Sequence, residues 1–441
     1  MDTLSQLPFY FEDALDTPLR DGYLPPELWD EILKLLRNRK RALINAGLVC
    51  KRWRDIVLPY LYAVVTVNVN WQSKSFPAFF DFLSQRTIIA GCIQELHLAA
   101  STNEEQLCNF DLESFVAILR TLTSLHTLSM IQLVLRVPKR LLRRLAADTK
   151  FPFVLRKFTV KGCRSAEYTG YLDNFADFFS LFSAETLHVS GLLVPGNIST
   201  DQLEVDLANW LPERRVSTIN LVFGAEMYWR PNETDFDLHG FFARLLRPGD
   251  LRTTSSTIYP YLTLTAQRFH NFLRLTSAQS IVSLDLHLVM LVIYSWSENR
   301  DVVGRALSSC KCLRYLRLDI PCLLRRRPAD PGRSILGPIL RLAPPTIQVL
   351  GVRVVNRSSN FKYLALWDLP EMDDLLSPGR GALFPMLKRV VVELDYAQRK
   401  VLEAAVLPVL SRLRAVGLLT VIVATAPLER ESSLQRFMQL C

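Results

Sequence analysis

A six-residue pattern, apolar-x-x-apolar-x-apolar, recurs through most of this chain and restricts its fold more than any other feature. It reads IQELHL from Ile93, LHTLSM from Leu125, LRKFTV from Leu155, AETLHV from Ala184 and VSTINL from Val216. It returns as IVSLDL from Ile281, LRYLRL from Leu313, IQVLGV from Ile347, LKRVVV from Leu387 and LRAVGL from Leu413; YAVVTV from Tyr62 precedes the series. Apolar alternation over so short a run marks a β-strand. Between the runs lie FPAFFDFLSQ, DLESFVAILRTL, DNFADFFSLF, LHGFFARLL, AQRFHNFLRLT and GRALSSC, with apolar residues at helical spacing. A strand and a helix every 30 residues or so cannot close a core alone, but stacked units can, as in a solenoid. The strands are expected in one parallel sheet, in sequence order. The segment 224–257 breaks the rhythm with Pro231 and Pro248 and reads as an irregular insertion, followed by a poorly matched strand YLTL from Tyr261.

Strand alternation assigns faces. The three apolar positions of each unit point to the core. The position between the last two points to the opposite, inner face: His97, Ser129, Thr159, His188, Asn220, Asp285, Arg317, Gly351, Val391 and Gly417. Two residues on, a second row includes Lys161, Ser190, Val222, His287, Asp319, Arg353, Glu393 and Leu419. Neighbouring strands place such side chains about 4.8 Å apart, giving a mixed polar surface suited to a protein target. His97, His188, Asp285, His287, Arg317 and Arg353 are its candidate target-binding residues. Paired charge reversal of Arg317 and Arg353 is expected to weaken target capture and leave the fold intact, as exposed substitutions do.

Residues 24–57 follow a different rule. Pro25 and Pro26 suit a first helical turn, and Glu27, Asp30 and Glu31 bring negative charge to the positive end of a helix dipole. Leu28, Ile32, Leu35 and Leu36 form one helical stripe. A second short helix runs from about Lys40 to Ala46 with Leu43 inward, Gly47 permits a turn, and Val49, Trp53 and Val57 share a face of a third helix. Domains below about 40 residues usually need a metal, disulfides or a partner, so these stripes should bury against the rest of the chain or another protein.

Leu24-Pro25-Pro26-Glu27-Leu28, then Ile32 and Leu36, then Leu48-Val49-Cys50-Lys51-Arg52-Trp53 resemble an F-box. The resemblance implies docking on the Skp adaptor of a cullin-based (SCF) ubiquitin ligase. It makes Leu24, Pro25, Leu28, Ile32, Leu36, Val49, Cys50 and Trp53 candidate adaptor contacts, with Trp53 open to the other role of holding the helices together. The basic run Arg37-Asn38-Arg39-Lys40-Arg41 departs from the Pro or Asp of many F-boxes and reads as a solvated loop. The later units resemble degenerate leucine-rich repeats, with a longer step and without the usual Asn or Cys after the strand. The whole layout resembles F-box proteins of mushroom-forming fungi.

The other chemistries find little support. With 49% apolar and 22% charged residues the chain is not mainly disordered, and a net charge of +9 over 441 residues is no nucleic-acid signature. No secretory signal is apparent, and VGLLTVIVATA from Val416 is too short for a membrane span and reads as a buried strand. The eight cysteines are therefore expected reduced, and the sequons at Asn197, Asn232 and Asn356 are chance matches. Cys310, Cys312 and Cys322 lack the partners of a zinc site. GxxxxGK[ST], GxSxG, HExxH and GxGxxG are all missing. No catalytic, cofactor-binding or metal residue is assigned, although residues distant in sequence can still meet in space.

The expected fold is α/β: a short N-terminal three-helix F-box-like module, then a curved α/β solenoid, leucine-rich-repeat-like, with a parallel sheet. The expected divisions are a flexible segment 1–23, the module 24–60, the array 61–426 with its insertion at 224–257, and a tail 427–441. The expected function is a non-enzymatic substrate receptor, cytoplasmic or nuclear, without cofactor. Its partners are a Skp-type adaptor, through it a cullin, and an unknown target protein. The competing readings are a scaffold whose F-box-like helices pack on its own repeats, and a hydrolase whose nucleophile, base and acid converge only in space.

Overall fold

A computed structural model describes residues 26–37, 39–69, 75–100, 109–136, 152–165, 170–192, 200–212, 214–224, 237–258, 263–276, 278–288, 296–321, 336–355, 368–379, 382–394 and 407–423. The chain divides into two compact units, Met1–Ala63 and Val64–Cys441.

The first unit holds three helices: α1 (Pro26–Leu36), α2 (Lys40–Gly47) and α3 (Lys51–Leu61). Pro26 opens α1, where its missing N–H costs nothing, with Glu27 in the first turn and Lys34 in the last. Cys50 caps α3 in extended geometry, its Sγ accepting from the Trp53 N–H at 3.5 Å. Leu33, Leu43 and Val57 form the buried centre, with Leu36, Ile56, Tyr60 and Leu61 around it. The Tyr60 hydroxyl donates to the Asp30 carboxylate and ties α3 to α1. Val49 lies in the turn before α3 rather than on its stripe, because the helix begins only after the Cys50 cap.

Among the described residues the second unit holds an open sheet of twelve parallel strands: β1 (Val64–Val69), β2 (Glu95–Ala100), β3 (Thr127–Ile131), β4 (Phe153–Lys161), β5 (Phe182–Ser190), β6 (Thr218–Phe223), β7 (Thr253–Ile258), β8 (Ser283–Leu288), β9 (Tyr315–Pro321), β10 (Val349–Val355), β11 (Arg389–Leu394) and β12 (Leu419–Val423), and a second sheet of three short parallel strands, Asn109–Asp111, Val134–Arg136 and Arg164–Ser165. They pair in sequence order from β1 to β12, as the repeat pattern requires. The helices fall where helical spacing put them, at Ser75–Gln85, Leu112–Thr121, Tyr171–Phe179, Leu238–Leu245, Thr263–Leu275 and Trp296–Ser308. Leucines of the strands and aromatic residues of the helices, among them Phe175, Phe179, Phe241, Phe242, Phe269 and Phe272, build one continuous core.

Three readings of the sequence need correction. Of the segment 224–257 read as an insertion, residues 225–236 lie outside the described residues, and 237–257 belong to a regular unit: a helix from Leu238 to Leu245, then β7 between β6 and β8. Its core positions are Leu251, Thr254 and Ser256, all buried, so two hydroxyls stand where other units carry aliphatics and the pattern fades. The YLTL segment leads instead into the helix Thr263–Leu275. In the unit read from Val216 the frame lies two residues later. Ala184 pairs with Thr218, Leu187 with Leu221 and His188 with Val222, so Val222 and not Asn220 continues the His188 row. At the end of the sheet Val391 pairs with Thr420 and Glu393 with Ile422, which places Gly417 before the strand. The position after the strand that looked unfilled holds Cys163 in one unit, buried, its Sγ–H donating to the Met130 carbonyl at 3.6 Å.

Candidate functional site

α1 is apolar on two faces, and the module can bury only one. Leu33 and Leu36 turn toward α2 and α3. Leu28, Ile32 and Leu35 line the other face and are 48%, 39% and 84% exposed. Val49 and Leu48, in the turn before α3, are exposed as well. Of the candidate adaptor contacts, Leu28, Ile32, Val49 and Cys50 thus offer surface, whereas Leu36 belongs to the module's own packing. Trp53 is half-buried with its ring 4.3 Å from that of Trp29, which gives it the interhelical role. Leu24 and Pro25 lie outside the described residues. A shallow depression of 540 Å³ between α1 and α3 is lined by Glu27, Leu28, Asp30, Glu31, Ile56 and Pro59.

The polar face of the sheet is not uniform. Over β2 to β6 it is partly open: His97 is half-exposed with Nε2 3.6 Å from Glu95, His188 and Thr159 are half-buried, and Lys161 is exposed. Over β7 to β11 it closes around charge. Asp285, His287, Arg317, Asp319 and Glu393 are all buried, Arg317 completely, so the expectation that Arg317 is exposed does not hold. The physical reason is pairing. Register sets Asp285 beside Arg317 and His287 beside Asp319 beside Arg353 beside Glu393. Arg317 donates from Nη1 to Asp285 at 3.2 Å and from Nη2 to Glu393 at 2.7 Å, and Arg353 Nη1 lies 3.6 Å from Asp319. Buried charges persist only when paired in this way.

Burial and pairing compete at each carboxylate. Burial pushes Asp285 up, only partly offset by His287 and Arg317. Burial also pushes Glu393 up against the pull of Arg317. At Asp319 the hydrogen bond and charge of His287, with the two guanidiniums, outweigh burial and hold its carboxyl down. Burial disfavours the charged form of Arg317, but the three carboxylates overcome that and raise it.

His287 also completes a nucleophile–base–acid arrangement across three strands. Its Nε2 lies 3.3 Å from Ser255 Oγ and its Nδ1 lies 2.6 Å from Asp319 Oδ2. These distances meet the geometric criterion for a serine hydrolase. Access and a competing acceptor oppose it. Ser255 is buried, and the Asp285 carboxylate stands 3.5 Å from the same Nε2. A general base must keep that nitrogen for its serine, whereas here the Asp285 carboxylate, a second acceptor, shares it. Sequence reasoning missed the trio because its members are about one repeat apart and only strand stacking unites them.

Residues 22–67 match the F-box-like family model. The chain therefore carries an F-box-like domain, a protein-interaction module, ahead of its repeat-rich α/β array. No curated protein matches the chain. Among the described residues, no helix is long and apolar enough to cross a membrane.

Proposed function

We propose that the chain is the substrate-recognition subunit of an SCF-type cullin ubiquitin ligase, with no catalytic step of its own. The F-box-like module docks a Skp-type adaptor, through it a cullin, and the array docks a target protein in the cytoplasm or nucleus. The observation that carries this reading is the exposed row Leu28, Ile32 and Leu35 within the segment that matches the F-box-like model. A water-facing apolar row beside an already filled small core is a surface awaiting a partner. Cys50 and Val49 extend the adaptor surface at the start of α3, and Leu24 and Pro25 belong to it by the F-box resemblance.

On the array, the open half of the polar face favours target docking through His97 and His188. Asp285, His287 and Arg317 are occupied with one another, and the Arg353 side chain keeps about a fifth of its surface. The test is co-expression with a Skp-type adaptor followed by size-exclusion chromatography and reconstitution with a cullin. A stable ternary complex is the expected result. An adaptor that never co-elutes would leave a non-catalytic scaffold as the better reading.

A further inference from the structure

The closed half of the polar face contains the elements of a metal site. We propose that Asp285 and His287 bind one divalent first-row transition ion of the zinc class, with Asp319 orienting the histidine from its Nδ1 side, independently of adaptor docking. Asp285 and His287 are two apart on β8 and so share a face, and Asp319 stands opposite His287 on β9. One donor atom from each lies within 4.8 Å of the others.

Two spacings define the roles. His287 Nδ1 to Asp319 Oδ2, at 2.6 Å, is a hydrogen bond. It orients the ring as the outer carboxylate of a metal-bound histidine does. The other nitrogen, Nε2, faces Asp285 Oδ2 at 3.5 Å. That is long for a charge-assisted hydrogen bond, about 2.7–2.9 Å. It is close to the separation of about 3.3 Å between two donors that share a tetrahedral ion with bonds near 2.0–2.1 Å. Ser255 Oγ, 3.3 Å from Nε2, can supply an oxygen beside them.

A second observation is independent of the spacing. Asp285 Oδ1 is a buried carboxylate oxygen with no hydrogen-bond partner, whereas Asp319 Oδ1 lies 3.9 Å from the Arg317 Nε. Buried acceptors left so are rare, and an ion is one of the few things that accounts for them. Mixed imidazole and carboxylate donors select zinc-like ions over magnesium or calcium. Arg317 Nη1, 3.2 Å from Asp285 Oδ2, steadies that carboxylate from outside the donor set.

Charge leaves one competitor. Asp285, Asp319 and Glu393 against Arg317 and Arg353 leave one negative charge when the imidazole is neutral; a proton on His287 cancels it, whereas a divalent ion leaves one positive charge. The experiment must separate ion from proton. Full-length protein, stripped of metal, is titrated with Zn²⁺ by calorimetry, with Mg²⁺ as control, and with Co²⁺ by visible absorption. One Zn²⁺ per chain is expected, with a cobalt spectrum of nitrogen and oxygen donors lacking thiolate bands. His287→Gln should abolish binding, and Asp319→Asn should weaken it by about 10–100-fold. Three results overturn the proposal: no Zn²⁺ binding, binding that survives His287→Gln, or thiolate bands showing that the cysteines take the metal. Should His287→Gln fail to fold, Asp285→Asn and the wild-type cobalt spectrum decide in the same way.

Discussion

Arg317 on β9 and Glu393 on β11 are separated by a whole strand, yet their side chains meet at 2.7 Å. The register explains how. The residue beside Arg317 on the intervening β10 is Gly351, which puts no side chain in the path of the guanidinium. One arginine therefore links three strands, with Asp285 on one side and Glu393 on the other.

Arg317→Met should destabilise the array by about 3–5 kcal/mol. Removing one partner of a buried ionic cluster leaves the others uncompensated, and that penalty exceeds the value of the pair itself. Three carboxylates would then share a buried face with only Arg353 and His287 as partners. Urea unfolding measures the change as a lower midpoint at an unchanged slope. A shift below about 0.5 kcal/mol, the size expected of an exposed residue, would mean the cluster is solvated.

The helix Leu238–Leu245 makes the array sensitive to acid. His239 lies against Phe223 and Phe272, and its Nε2 is 2.7 Å from Ser256 Oγ. Burial first, and the charge of Arg268 second, lower its pKa to about 3. The unfolded chain binds this proton near pH 6.5, so between those values the unfolded state holds more protons. Stability is intact above pH 6.5, falls as pH drops through that window, and levels off below about 3 as far as this group is concerned. A stability profile of His239→Asn against the parent should show the loss reduced between pH 6 and 4, and identical slopes would remove His239 as the cause.

How much of this could be read from the sequence follows from which interactions are periodic. Leu96, Leu128, Phe158 and Leu187 repeat at one strand position, so the parallel order of the sheet was readable. Thr254 and Ser256 fill the same positions with hydroxyls, and β7 was lost with them. Val216 offered a false apolar start, which moved one row by two residues. Asp285 and Arg317 were identified as neighbours on one face, but whether a polar face meets water depends on what pairs and packs there. In α1, Leu28 and Leu36 read as one stripe, and only the positions of α2 and α3 reveal that Leu36 turns inward while Leu28 turns out.

Gly304→Ala should be costly despite the preference of helices for alanine. A Cβ at Gly304 would come within 2.6 Å of Leu342 Cδ1 and 2.9 Å of Leu342 Cβ on the next helix, Leu336–Leu342. The second atom is fixed by its backbone, so rotation of the leucine cannot relieve the clash, and overpacking of this kind costs about 1–3 kcal/mol. Thermal unfolding of the variant would show a lowered midpoint, while a gain of stability would indicate that the two helices slide apart freely.

Leu28→Ala with Ile32→Ala should cut adaptor binding by orders of magnitude and leave the module folded. Both side chains face outward from α1, whereas Leu33, one residue on, is buried against Leu43 and Val57. Burying an aliphatic side chain contributes about 1.5–3 kcal/mol, and about 1.4 kcal/mol is a factor of ten in affinity, so losing most of two such contacts weakens binding at least a hundredfold. The array, whose core includes neither residue, should keep its melting temperature. Leu33→Ala is the contrasting variant: it opens a cavity in the module, at a cost of about 2–5 kcal/mol in a core that can relax little, and lowers binding through loss of structure. Calorimetric titration with the adaptor, alongside circular dichroism of each variant, distinguishes the two. If the double variant binds as tightly as the parent, adaptor recognition must reside elsewhere, with the turn carrying Leu48 and Val49 as the next surface to test.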